Sequence, residues 1–339
     1  MNSKFNRRNF LTAGLGLGAV AALSACAGTS ATPAPSGAPA PLSIKVGYIA
    51  DYNGAALLAV ADKQGFWAKA GLKAEFVPFT NGPLAIQALG TNNVDVAYIG
   101  SGALWLPASG KAEIWAINSV SNADRIIAQP GFNSLADLKG KKVGVPAGTS
   151  GDQLLSLALK KAGLQRSDFN IVPMDPSTAV SAFASKQIDG AALWYPLIDT
   201  IKTKIPDMVE LAKNEDFVSE LTFPSSYVAQ PGRAAKDKEL ATRFIGVVKA
   251  SNDYRQDNQA ATITATAGFL KLGEDVLKPQ AGVAKTFTSA ELEKLSTDGT
   301  VGKWLTNLQE QFVTDKKLTA VTSPDKFYDS ALYVGAKKV

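Results

Sequence analysis

The residues best suited to hold a charged guest are Thr149, Ser150 and Gly151, within the turn Ala147-Gly148-Thr149-Ser150-Gly151. Hydroxyls and glycines there let O–H and backbone N–H donors approach an oxyanion. The turn also opens a helical stretch whose first amides have no partner inside the helix and carry a partial positive charge. Asp152 completes the [ST]-x-x-[DE] capping pattern with Thr149, and on motif frequency internal capping ranks first for that carboxylate. The stretch is no nucleotide phosphate loop, since the helix lacks the lysine followed by serine or threonine, and no dinucleotide fingerprint. Ser101-Gly102 and Asn81-Gly82 form comparable small turns, although Ser101 alone reads as a helix N-cap and Asn81 alone as turn chemistry. Asp51 to Gly54, with Tyr52 inside it, makes a further polar turn. Trp194-Tyr195 ends an apolar run before Pro196; adjacent residues of a strand face opposite ways, so one of the two rings is expected at a cleft.

What is missing narrows the chemistry further. The chain of 339 residues has no histidine and a single cysteine, Cys26. Disulfides, thiolate–imidazole pairs, serine–histidine triads and nearly all zinc sites are thereby set aside, and neither enzyme chemistry nor a cofactor is expected. The formal charge of +5 includes Lys4, Arg7 and Arg8; without them 32 basic residues face 30 acidic ones, a net +2. With no arginine stripe and no aromatic interleaving, nucleic acid is not an expected partner.

The elements that must position these turns follow from periodicity. Strands are expected at Leu42–Ile49, Lys73–Pro78 and Asp95–Ile99, each emptying into a polar turn and a helix (Ala55–Ala70, Pro83–Leu89 and a stretch from Ala103). Ile114–Val120 and Arg125–Gln129 read as strands crossing toward a second lobe. That lobe opens with Lys141–Pro146 and the helix Asp152–Ala162, and continues with Asn170–Pro173, the helix Thr178–Ser185 and the strand before Trp194. Thr222–Gln230 returns the chain, and a helical tail follows, with helices at Lys236–Asn258, Thr262–Lys271 and from the capping box Thr288–Glu291. Lys316, Lys317, Lys337 and Lys338 read as solvated surface. In open α/β sheets ligands bind beyond the carboxyl ends of strands, which is where these turns lie.

The first forty residues read as an address. Arg7-Arg8 before a glycine- and alanine-rich stretch has the pattern of a twin-arginine export signal, and Leu11–Ala25 is too short and weakly apolar to span a bilayer. Leu23-Ser24-Ala25-Cys26 resembles a bacterial lipobox, with Cys26 the lipidated residue. The uncharged, proline-rich Ala27–Pro41 then reads as an extended tether.

Taken in order, Gly65-Phe66, Asn81-Gly82-Pro83, Val94-Asp95-Val96 before Gly100-Ser101, Leu138 to Pro146, Ile188-Asp189-Gly190-Ala191 before Trp194, and the Trp304-Leu305 helix resemble the substrate-binding proteins of ABC importers for taurine, alkanesulfonates and nitrate-like anions. The resemblance implies an α/β fold of the type II periplasmic-binding-protein kind, two lobes joined by two crossover segments and closing on a ligand by hinge motion. The division it implies is a signal peptide over 1–25, a tether over 26–41, a first lobe over 42–127 and 225–339, and a second lobe over 128–224. It further implies an exported, lipid-anchored monomer at the membrane face that captures a small organic anion, a sulfonate first, and delivers it to a permease and its ATPase.

On this mapping Ser101, Gly102, Thr149, Ser150 and Gly151 hold sulfonate oxygens while Trp194 or Tyr195 covers the organic part. Because no histidine takes part, affinity is expected to vary little between about pH 5 and 8. Taurine binders of the family place an acid in the return stretch, where this chain has Ser225 or Ser226, so either the ligand lacks an amine or an acid elsewhere, such as Asp51, pairs with it. Nitrate, bicarbonate, an aromatic carboxylate or a nitrogen heterocycle are alternative cargoes on the same fold. A thiamine-pyrimidine-synthase-like enzyme is a remoter alternative, since the histidine and cysteine-rich motif of such enzymes are missing.

Overall fold

The computed structural model describes residues 41–339. The twin-arginine pair, Cys26 and all but the last residue of the expected tether lie outside the described residues. In chain order the strands are β1 (Leu42–Ile49), β2 (Leu72–Phe79), β3 (Val96–Ile99), β4 (Glu113–Ser121), β5 (Asp124–Ala128), β6 (Lys142–Val145), β7 (Asn170–Pro173), β8 (Gly190–Trp194), β9 (Val209–Lys213), β10 (Pro224–Ala229) and β11 (Ala284–Lys285). They form two sheets, ordered β11-β4-β10-β3-β1-β2 and β7-β6-β8-β5-β9.

Each sheet has a parallel part, made where a strand is followed by a helical crossover, and antiparallel strands where the chain changes sheet. β1 pairs in parallel with β2 and β3, and β6 with β7 and β8. The leaving strand β4 lies antiparallel to the returning strand β10, and β5 antiparallel to β9. The two crossovers, Asn122-Ala123 and the segment around Leu221–Phe223, therefore run side by side, joined by the Ser121 N–H donating to Phe223 O at 2.9 Å. The type II architecture is thus present, with one correction: β5 belongs to the second sheet, so the halves part at residues 122–123 rather than after 127. A run as short as Arg125–Gln129 carries no signal of which sheet it joins.

The expected helix Ala55–Ala70 is instead two, Tyr52–Lys63 and Phe66–Lys69, because Gly65 takes a left-handed conformation between them. The helix Leu197–Lys204 and strand β9 complete the second half, and sequence patterning did not mark either. The helix Ser150–Lys161 buries Leu154, Leu155 and Leu159 against the second sheet. At about 1.5–3 kcal/mol for each large apolar side chain, this burial fixes its first turn beyond the ends of β6 and β8. Gly151 makes that approach possible, since a Cβ there would stand 2.5 Å from Ala192 O of β8. Among the described residues no helix is long and apolar enough to cross a membrane.

Candidate functional site

A cavity of about 40 Å3 lies between the carboxyl ends of the two sheets. The first half contributes Ile49, Asp51, Tyr52 and Asn53 after β1, Gly82 after β2, Tyr98, Gly100, Ser101 and Ala103 at the end of β3, and Ser121 at the end of β4. Across from them stand Thr149 and Ser150 after β6 and Trp194 and Tyr195 after β8, with Ala123 of the first crossover and Gln280 of the helix Glu274–Gly282 closing the sides.

Of the residues picked out by sequence, Asp51, Tyr52, Gly82, Ser101, Thr149, Ser150, Trp194 and Tyr195 line this space. Both aromatics do so, because β8 ends at Trp194 and strand alternation no longer governs Tyr195. The other four stand behind the wall. Asn81 caps the helix Gly82–Gly90, accepting from the Leu84 N–H at 3.0 Å. Gly102 presses on the opposite half, where a Cβ would collide with the Thr149 carbonyl, and Gly151 packs on β8. Ser225 is fully buried and shares a 2.9 Å hydrogen bond with Ser119.

The hydroxyls expected to face an anion are already engaged. Thr149 Oγ1 donates to Pro146 O at 2.7 Å and makes no capping bond. Asp152 does not form the expected capping box either. Its Oδ2 accepts from the Gly148 N–H at 2.8 Å and from Lys317 Nζ at 2.9 Å, and its Oδ1 pairs with Arg166 at 2.8 Å. Burial alone would raise the Asp152 carboxyl, but Lys317, Arg166 and the Gly148 amide hold it below its ordinary value. Lys317 is thus an interior ion-pair partner rather than solvated surface, and Lys338 pairs with Asp253.

Ser101 Oγ donates to Gln153 Oε1 at 2.6 Å, and Gln153 Nε2 donates to Gln311 Oε1 at 3.0 Å. Gln311 lies in the helix Thr300–Thr314, which packs on the first half. With the Lys317–Asp152 pair, these bonds hold the two halves together beside the cavity.

The charge of the cavity differs from the expectation. No lysine or arginine lines it among the described residues, whereas Asp51, 8% exposed, does. Asp51 Oδ1 accepts from the Gly54 N–H at 2.7 Å, and no side chain of the described residues donates to the carboxylate. Burial pushes its pKa up to about 7, against the pull of the Gly54 amide and with the nearby Asp124 adding to the rise. Ser150 Oγ donates to Asp124 Oδ1 at 2.6 Å, so the chain's own carboxylate sits where the serine was expected to meet a sulfonate. Burial pushes Asp124 up to about 6, restrained by Ser150, Asn214 and Arg125. Two groups beside the cavity therefore titrate between pH 5 and 8, contrary to the flat profile expected of a histidine-free site.

Sequence reasoning missed Tyr98, Asn53, Ser121, Asp124 and Gln280. Tyr98 was findable as the penultimate residue of a predicted strand. Gln280, whose Oε1 accepts from the Tyr52 N–H at 3.0 Å, comes from 228 residues downstream and carries no local signal.

Comparison with known proteins adds a lineage. The family model described as NMT1/THI5 like matches residues 53–262. A protein of Brucella abortus described as a binding protein is 52% identical over 287 residues, covering 85% of this chain and 90% of the relative. The taurine-binding periplasmic protein of Escherichia coli is 23% identical over 299 residues, covering 82% and 89%. Among solved structures, the periplasmic nitrate-binding protein of Synechocystis superposes with a TM-score of 0.72 at 17% identity, covering 88% of this chain and 89% of its own.

Proposed function

The chain belongs to the NMT1/THI5-like family, and from that premise we propose that it is the substrate-binding component of an ABC import system of the sulfonate, taurine and nitrate type. It closes on a small solute and hands it unchanged to a membrane permease driven by an ATPase. The observation that carries this reading is the position of the cavity, enclosed by the carboxyl ends of two sheets between which the chain passes in two adjacent crossovers.

The finer reading is that the solute is a small sulfonate. The taurine-binding relative supports it, as do the first amides of the helix Ser150–Lys161, which have no intrahelical partner. Tyr52, Trp194 and Tyr195 supply apolar faces for the organic part. The twin-arginine pair and Cys26 fit an exported monomer tethered to the membrane surface by lipid.

The test is equilibrium dialysis of the protein against a metabolite extract, followed by mass spectrometry of the solute released on denaturation. One small solute recovered unchanged, with a smaller radius of gyration in its presence, is the expected outcome. Conversion of the solute, or capture unaffected by substitutions at Tyr52 and Trp194, would overturn the reading.

A further inference from the structure

We propose that the solute carries a protonated nitrogen, an ammonium or amidinium, and that Asp51 backed by Asp124 is the group that recognises it. This names the substrate class of the same cavity and rests on the binding-protein reading above.

A carboxylate more than nine-tenths buried needs a cation or a full set of donors, and Asp51 faces the cavity with backbone amides alone beside it, Gly54 at 2.7 Å and Asn53, and no side-chain donor among the described residues. The nearby guanidinium groups are committed elsewhere. Arg125 pairs with Glu210 at 3.2 Å and Glu215 at 3.1 Å, and Arg255 donates to Asn118 and Asn252.

Of the remaining charged and titratable groups around Asp51, one, Asp124, adds to its need for a cation. Asp124 on β5 repels it, Tyr98 on β3 and Tyr227 on β10 are neutral phenols raised by burial, and Arg255 faces Tyr52 and Tyr227 from its helix. A guest bearing only negative charge would meet Asp51 directly and Asp124 through Ser150. A protonated nitrogen would instead supply the missing charge beside Trp194 on the cavity wall; the Tyr195 ring already carries the Arg125 guanidinium, 5.2 Å from its centroid.

The test compares three probes on the full chain by calorimetry at pH 5 and pH 8: 2-aminoethanesulfonate, ethanesulfonate and benzamidine. At least one nitrogen-bearing probe is expected to bind, about ten- to a hundredfold more tightly at pH 8 than at pH 5 as Asp51 ionises, while ethanesulfonate does not bind. Asp51→Asn should weaken that probe about tenfold or more and flatten its pH dependence, and Asp124→Asn should weaken it independently. Ethanesulfonate binding as tightly as 2-aminoethanesulfonate would overturn the inference and leave the importer reading standing. So would failure of both nitrogen-bearing probes, or a dialysis-captured solute without nitrogen. A captured solute that is chemically altered would sink the importer reading alone.

Discussion

Asp51→Asn in the absence of any ligand is the sharpest physical test of the cavity's electrostatics. Burial lifts the Asp51 carboxyl from 3.8 to about 7, so between those values the folded protein holds a proton that the unfolded chain has released. The contribution to stability is complete below about pH 4 and is lost as pH rises through about 7. At about 1.4 kcal/mol per pH unit the loss totals roughly 4 kcal/mol, of which about 2 falls between pH 5 and 7 and close to 3 by pH 8. Asparagine caps a helix as well as aspartate does, so the bond from the Gly54 N–H is kept and only the charge is removed. The variant should therefore gain on the wild type by about 3 kcal/mol between pH 5 and 8. For a body of about 300 residues that is a relative rise of about 5 °C in Tm. Asp124, raised to about 6, remains in both proteins and leaves a smaller decline in the variant. Calorimetric scans at pH 5, 6, 7 and 8 read the difference directly. A wild-type Tm that is constant over that range, or a variant less stable than the wild type at pH 8, would refute the reasoning.

Gly102→Ala places a methyl group against the Thr149 carbonyl of the opposite half, so solute affinity should fall about tenfold or more while circular dichroism stays native; unchanged affinity would mean that the halves do not meet there during binding. Thr149→Val leaves the Pro146 carbonyl without its 2.7 Å donor and should cost about 1–3 kcal/mol in urea denaturation, with little effect on affinity, because the hydroxyl proton is committed to that carbonyl. Lys317→Met removes one partner of Asp152, a residue with a 5% exposed side chain that retains Arg166 and the Gly148 amide, and should cost about 1–3 kcal/mol at pH 7. Because the Asp152 carboxyl is held below its ordinary value, its contribution is present above about pH 4 and lost as pH falls further, so the gap between Lys317→Met and wild type should narrow in acid.

Much of this architecture is written locally. The alternation in Leu42–Ile49, the small turn before Leu154, Leu155 and Leu159, and the order of strand, polar turn and helix are short-range patterns, and they place strand ends and helix starts within a few residues. The turns at Asp51, Gly82, Ser101 and Ser150 could be identified as cavity wall for the same reason: a chain that leaves a parallel strand must turn at its carboxyl end. The absence of histidine and the lone cysteine also needed no structure to be informative.

Only the tertiary structure decided what the cavity is made of electrically. Nothing near Ser150 in sequence reveals that its hydroxyl meets Asp124, twenty-six residues earlier, or that Gln280 braces Tyr52. Nor does the capping motif at Thr149 foretell that Asp152 turns to Lys317 and Arg166. Hydrogen-bond partners are set by which distant segments the two sheets bring together, and the pKa of Asp51 is set by how much water that assembly excludes. Both are properties of the closed body as a whole, which is why a turn chemically suited to an anion in isolation becomes, once folded, a site short of positive charge.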